Sequence, residues 1–525
     1  MKRFSKSGNC PHLPAFFSLF ARLLARLLAI GSAISIACSP STAMARRKSA
    51  DSTVLKEQIL KSVLHTEQLS SGPALTLSDF LGQVAQKHDG YRAADKSQKS
   101  AILTSTESSL IFKPAAFANV QYSSDGISNP FANSNKLHLA SYVAGVQETT
   151  RFGLLGKVSY IQNAIATPAI PPFAPTATNY NSSWLQLDVT QSLWRNWDGR
   201  ESRAQQEAAL SGSLAAAFSQ TYAGKQNLLQ AESAYWQLAL SREIVQVQVD
   251  AVARAKRIKD WTERRVRLNL VDRAESIQSS ANLESSLLNL RTAQDNMTAA
   301  AQTFNASRGA DAEIVSERLV DLAPNLIADM SQPARSVMRD DVKAAEFQAE
   351  SSGASAKLSR EKNKPTVELF ATTPLTHPSG DQSSLAAQQL PISARPATTI
   401  GVRLSAPLDF ETLAHDREGY DVAAQAADLR LQRARFDEQR EWNTLATQFH
   451  QAQERLKLYL DLEKTQQEKL AYQRDLQTRG RSTLAQVWLF EADYQSAQTG
   501  RIQTLAQLLN LNAQMKLYGV SYESR

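Results

Sequence analysis

Long apolar runs, cysteines and aromatic residues are all scarce in this 525-residue chain. The most apolar stretch, Leu27 to Ala37, is eleven residues long, where a membrane-spanning helix needs roughly 20. A transmembrane helix is therefore not expected. Aromatics make up 7% of the chain, while Ala, Gln, Ser and Leu crowd its long central stretches. That balance suits extended helices rather than a compact enzyme. The seven His are scattered without ligand spacing, so no metal site is expected. No G-x-S-x-G elbow, H-E-x-x-H helix, phosphate-cradling G-x-x-x-x-G-K or dinucleotide-binding G-x-G-x-x-G occurs. The sequence offers no catalytic site and no cofactor site, and scattered helical carboxylates read as solubility and ion pairing.

The two cysteines, Cys10 and Cys38, fall at the N-terminus, which has the form of an export signal. Lys2, Arg3, Lys6, Arg22 and Arg26 precede the Leu27 to Ala37 run, and Ala43-Met44-Ala45 fits an A-x-A cleavage site. Cleavage after Ala45 would leave a mature chain with neither disulfide nor thiol chemistry. Ser35-Ile36-Ala37-Cys38 is a rival site, loosely of the lipoprotein type, where acyl chains on Cys38 would anchor the N-terminus. The formal charge of +7 also depends on this segment. Taking its five basic residues from 58 leaves 53 against 51 acidic ones, a net charge of +2. Nucleic acid loses its main support as a partner.

What the chain does contain is one unit written twice. Leu185, Leu187, Val189 and Leu193 of LQLDVTQSL match Ile400, Val402, Leu404 and Leu408 of IGVRLSAPL at a constant offset of 215. Both are alternating strands with one apolar face. Earlier landmarks repeat at an offset of 251: Arg92-Ala93-Ala94-Asp95 with Lys343-Ala344-Ala345-Glu346, and Lys113-Pro114 with Lys364-Pro365. The first copy thus carries 36 extra residues between its two strands, in the region of 140–176. With Gly153, Gly156 and the Pro168 to Pro175 cluster, the insert reads as an added hairpin with a Pro-rich loop that lies outside any membrane ring.

Helices are expected around the strands. In the first copy they run from Leu77 to about Phe112, from about Gly199 to Leu268, and after a break at Asn269 to Asp272, on to about Asn305. The second copy repeats this from about Asp341, then from Asp416 to Gln477, with a break at Arg479-Gly480-Arg481 and a return helix to about Leu517. At 1.5 Å per residue the long helix of the first copy spans on the order of 100 Å. The two shorter helices of that copy sum to nearly the same length, so they pack if they stack end to end beside it. The domains are then 1–45 signal, 46–75 extension, 76–320 first repeat and 321–525 second repeat.

Alternating strands in an exported chain without a membrane helix suit a closed barrel in lipid. Four strands cannot close a membrane barrel, whose smallest common form has about 8, so oligomerisation is required. A soluble helical protein with a small capping sheet is the plain alternative, and among exported proteins a non-channel structural or adhesive coiled coil is the competing class.

The chain resembles the TolC-type outer-membrane efflux proteins. The resemblance runs from Leu75-Thr76-Leu77 through Lys113-Pro114, Gln191-Ser192-Leu193 and Ala234-Tyr235-Trp236 to Arg339-Asp340, Ala406-Pro407-Leu408 and Gly480-Arg481-Ser482-Thr483. It implies a mostly α fold with a β-barrel segment: a homotrimer whose twelve-stranded outer-membrane barrel continues into a periplasmic coiled-coil tube. It also implies a periplasmic adaptor and an inner-membrane transporter as partners, and efflux or type I secretion as the task. The hairpin tips facing the adaptor would be Asn269, Leu270 and Asp272 in the first copy, and Arg479, Gly480, Ser482 and Thr483 in the second. Asn269 replaces the usual Gly, a position Asn tolerates in left-handed conformation. Acidic residues narrow the mouth in TolC-like channels; the matching positions here are Gln486 and Leu489, which leaves two readings of Trp488 and Leu489: apolar packing that closes the mouth where three copies meet, or ordinary coiled-coil core. Two basic runs, Arg254 to Lys259 and Arg264 to Arg267, read as a solvated face or as a collar for an acidic adaptor surface.

Overall fold

The computed structural model describes residues 73–125, 137–167, 178–319, 324–375, 379–381 and 397–519. The export signal, its cleavage site, Cys38 and the Pro168 to Pro175 cluster lie outside the described residues. The first copy opens with β1 (Ala74–Leu75), α1 (Leu77–Lys87) and α2 (Asp89–Ser105), and a 3-10 turn leads to β2 (Ala115–Asp125). Strands β3 (Leu137–Thr149), β4 (Leu154–Thr167) and β5 (Thr178–Ser192) follow, then α3 (Arg200–Arg267), α4 (Arg273–Ser307) and β6 (Arg318–Leu319). The second copy has α5 (Pro324–Ala328), α6 (Asp340–Lys362), β7 (Thr366–Pro374), β8 (Ser379–Asp381), β9 (Thr399–Ser405), α7 (Phe410–Thr478) and α8 (Leu484–Met515). Among the described residues no helix is long and apolar enough to cross a membrane.

The expected helix over Leu77 to Phe112 is broken at His88. Its backbone is extended (φ −73, ψ 115), and its Nδ1 accepts the Tyr91 N–H at 3.1 Å, so it caps α2 in the manner of an Asn or Asp. The long helices fall where the pattern puts them, although α7 begins six residues before Asp416, capped by Asp409, which accepts from Thr412 N at 3.0 Å.

End-to-end stacking is visible at the middle of each long helix. Tyr235, near the centre of α3, is fully buried with Phe80 of α1 and Phe304 of α4, and the Phe80 and Phe304 rings stack at 4.2 Å. The two short partners therefore meet at that ring cluster, where each buried aromatic contributes about 1.5–3 kcal/mol. Tyr235 also donates to Leu75 O at 2.9 Å, which holds the parallel pair β1 and β6 over the junction. The second copy makes its junction around Phe449 of α7, buried with Leu508 and Met515 of α8. Beside it, Arg339 at the start of α6 reaches Glu441 at 2.5 Å and the Tyr518 hydroxyl at 2.9 Å. Burial pushes the Tyr518 phenol up to about 12, so it stays a neutral hydrogen-bonding partner for that guanidinium.

All the long strands join one sheet in the order β2-β3-β4-β5-β7-β9, with β8 extending the β7 side of β5. The insert does not lie apart from the sheet, as its glycines and prolines suggested. It supplies β3 and β4, paired along their whole lengths and flanked by β2 and β5. Gly153 does form the tight turn between them, at φ +78. Gly156 instead lies within β4.

Directly opposed residues share a face, and the two faces differ most in the half of the sheet nearest the helices. One carries Ala144, Tyr160 and Leu185 in one row and Val146, Val158 and Leu187 in the next. The other carries Gln147, Lys157 and Asp188 in one row, with Asp188 accepting from Thr372 Oγ1 at 2.8 Å. On this polar face Phe117 lies over Gly145, and Lys157 sits 4.7 Å from the ring. Phe370 likewise lies over Gly401 with Arg403 at 5.2 Å. In both places an aromatic ring covers the bare backbone and a cation caps it. Further out, the row Val143, Ile161 and Trp184 puts apolar side chains on the polar face, and Gln162 and Ser183 follow Tyr142 on the apolar one.

The β3–β4 turn packs on the strand-to-helix junction. At Gly199 (φ +67) a Cβ would lie 2.0 Å from Arg151 O, whereas at Gly480 (φ +72) it would meet nothing within 4 Å. Gly480→Ala should therefore cost only the left-handed penalty of about 1–2 kcal/mol. Gly199→Ala should cost clearly more, because Arg151 must move. Thermal midpoints of the two purified variants check the order.

Candidate functional site

Both helical hairpins turn with the same piece of backbone chemistry. In the first, Asn269 adopts φ +55, its N–H donates to Val266 O at 2.9 Å, and Leu270 N donates to Arg265 O at 2.9 Å. In the second, Gly480 N donates to Gln477 O at 3.0 Å and Arg481 N to Leu476 O at 2.9 Å. Each is a Schellman motif with its left-handed residue at the position after the cap. Three residues later each return helix gains an N-cap: Asp272 accepts from Ala274 N at 3.2 Å, and Thr483 accepts from Gln486 N at 3.4 Å. Arg479 pairs with Asp475 at 2.9 Å one turn back, and Ser482 hydrogen bonds to Gln473 and Gln486. The two tips lie side by side, since Arg257 and Trp261 of α3 share a cleft of about 200 Å³ with Arg474 and Thr478 of α7.

The three residues expected at the pore constriction, Gln486, Trp488 and Leu489, have three different surroundings. Gln486 is the third residue of α8 and completes a capping box by accepting the Thr483 N–H at 3.4 Å. The Thr483-x-x-Gln486 pattern carries that role in the sequence itself. Trp488 faces inward, lining a cleft of about 270 Å³ with Ile258 of α3 and Asn282 of α4. Leu489 is 59% exposed. Apolar side chains are exposed at the first tip too, with Leu268, Leu270 and Ile277 all more than half exposed.

Just above the tips, Glu491 of α8 joins three helices. It accepts from Arg254 Nε of α3 at 2.9 Å and pairs with Arg474 of α7. Arg254 is thus a buried connector. Elsewhere the two basic runs fit the solvated reading: Lys259 of the first pairs with Glu263 one turn on, and Arg265 of the second lies 4.7 Å from the Trp261 ring. Nothing local in the sequence marks Arg254 out, because its partner is 237 residues away. Further up, Arg501 of α8 bonds Glu243 of α3 and Glu463 of α7, each at 2.6 Å. Burial opposes the Arg501 charge, but the Glu243 and Glu463 carboxylates hold its pKa above the ordinary value. Among the described residues no group of three or more His, Cys, Asp or Glu could hold a metal ion.

No family model matches the chain, and no curated protein matches it. Solved structures do. The outer membrane protein VceC of Vibrio cholerae is 16% identical and superimposes over 84% of this chain and 96% of its own, with a TM-score of 0.58. The Campylobacter jejuni CmeC outer membrane channel, 14% identical, covers 84% of this chain and 85% of its own at 0.55. The open state of the Neisseria gonorrhoeae MtrE outer membrane channel, 15% identical, covers 84% and 88% at 0.55. The fold is that of the TolC-type outer-membrane efflux channels. Two features depart from what the TolC-type resemblance implies: a sheet path of six strands instead of four, and Gln486 and Leu489 where acidic residues are expected.

Proposed function

We propose that the chain is the outer-membrane exit duct of a tripartite efflux system. Three copies close a barrel in the outer membrane and a helical tube in the periplasm, through which small molecules pass. The observation that carries this reading is the two-faced sheet. Its apolar face leaves Val120, Ile400, Val402 and Leu404 each at least 65% exposed in the single chain. Exposure on that scale suits lipid, while Lys157, Asp188 and Arg403 on the other face suit a wet lumen. The paired helices beneath are long enough for a tube of about 100 Å. Energy comes from partners: an inner-membrane transporter, reached through a periplasmic adaptor that grips the tips at Asn269, Leu270 and Asp272 and at Arg479, Gly480, Ser482 and Thr483.

The mouth lies at Gln486 and Leu489, brought together near the axis from three copies, with Trp488 fixing α8 against α3 and α4. Three close carboxylates would draw polyvalent cations strongly, and neither residue supplies one. Block by trivalent cations from the tip side should therefore be weak. Gln486→Glu keeps the capping box, and combined with Leu489→Asp it should create a block that added salt partly relieves. Strong block of the unaltered channel, abolished by neutralising Asp272 or Glu275, would place the constriction on the first hairpin. The reading as a whole is tested by fractionation: the protein should be recovered from outer membranes as a detergent-extracted trimer. Recovery as a monomer without detergent would favour an exported coiled coil.

A further inference from the structure

We infer that the hairpin β3–β4 is itself embedded in the bilayer, so each chain gives six strands and three chains close a barrel of eighteen strands rather than twelve. The inference rests on the outer-membrane reading and concerns what the insert does within it. Position is the first ground. β3 and β4 lie between β2 and β5 in the hydrogen-bonded order, so no ring can pass from β2 to β5 without going through them. An accessory hairpin would hang from an edge or a loop.

Length and pattern agree. At 13 and 14 residues the two strands exceed the roughly 9–11 that cross a bilayer. Two adjacent rows, Ala144, Tyr160, Leu185 and Val146, Val158, Leu187, carry apolar side chains from the insert into β5, between rows that hold Gln162 on one side and Glu148 on the other. Val146 is 50% and Val158 40% exposed, so acyl chains are the occupant that matches this face. On the opposite side Gln147 pairs with Lys157, Gly145 with Ser159 and Ser141 with Asn163, with one apolar row, Val143, Ile161 and Trp184, between them. The Thr150 to Gly153 turn packs against Asn196 and Gly199, at the end where the helices begin. The other ends of β3 and β4 therefore point to the far rim.

Closure is consistent as well. A hairpin adds two strands, so β9 still runs opposite to β2, and the two edges of the sheet can meet antiparallel between neighbouring copies. Barrel diameter grows roughly linearly with strand number, so the bore would be about 1.5 times that of a twelve-stranded ring, and barrels of 16–18 strands hold open aqueous channels.

The test attaches a bimane fluorophore to single cysteines in a chain with Cys10 and Cys38 replaced by Ser. The sites are Val146→Cys, Val158→Cys, Val402→Cys and Lys157→Cys, in trimers reconstituted with brominated phosphatidylcholine. Bromine should quench at 146 and 158 as strongly as at 402, severalfold more than at 157. Quenching at 402 but not at 146 or 158 would overturn the eighteen-stranded ring and leave the membrane reading intact. Equal weak quenching at all four sites would overturn the membrane reading, and this inference with it.

Discussion

Arg501→Ala should destabilise the helical region by about 3 kcal/mol, read as a lower guanidinium midpoint of the helical circular dichroism signal. The side chain is 9% exposed and is held by two carboxylates, Glu243 and Glu463. Removing one partner of a buried ion pair costs about 3–5 kcal/mol, since the other charge is left uncompensated. The lower end applies because Glu243 and Glu463 are themselves partly exposed, at 31% and 19%. Most of the loss should return in the triple variant Arg501→Met, Glu243→Leu, Glu463→Leu, which leaves no unpaired charge behind. No recovery in the triple variant would mean that the contribution of Arg501 is packing of its aliphatic stem.

Leu187→Arg should prevent accumulation of the trimer in the membrane, whereas Gln186→Arg should leave it near normal. The two residues are neighbours on β5 and face opposite ways. Leu187 sits in the apolar row with Val158 and Thr373, and Gln186 donates to Asp188 on the polar face at 2.8 Å. An arginine on the lipid face of a barrel costs about 2–4 kcal/mol near the bilayer midplane, while lumen positions accept it. Quantifying trimer in the outer-membrane fraction separates them. Equal loss in both would show that β5 is sensitive on either face and would remove the argument for lipid on one of them.

Much of this architecture can be read from local patterns. The alternation in Leu185 to Leu193 and Ile400 to Leu408, and the hairpin breaks at Asn269 and Gly480, are set by each residue's own geometry; the turns stand where those patterns put them, and so do the strands, except that β9 ends at Ser405 and leaves Leu408 in the link to α7. Asn269 at φ +55 in the place of a glycine is one such case. The insert was harder to read. Its strands are rich in Ala, Ser and Gly, as in Leu137 to Gln147, which dilutes the apolar contrast between faces. Gly156 looks like a turn residue, yet its place is fixed by pairing with Glu148 and Val189. Arg254 was illegible for another reason. It stands in a run of surface cations, and only the packing of α3 on α8 brings Glu491 to it. The break at His88 was also hidden, because His is seldom read as a cap although its Nδ1 can accept as Asn does.

Single-channel recording tests the account most directly. Trimer purified from outer membranes and added to planar lipid bilayers should give stepwise, ohmic conductance in the absence of any nucleotide or partner. A pure trimer that inserts and never conducts, or a chain that stays a soluble monomer without detergent, would contradict the duct.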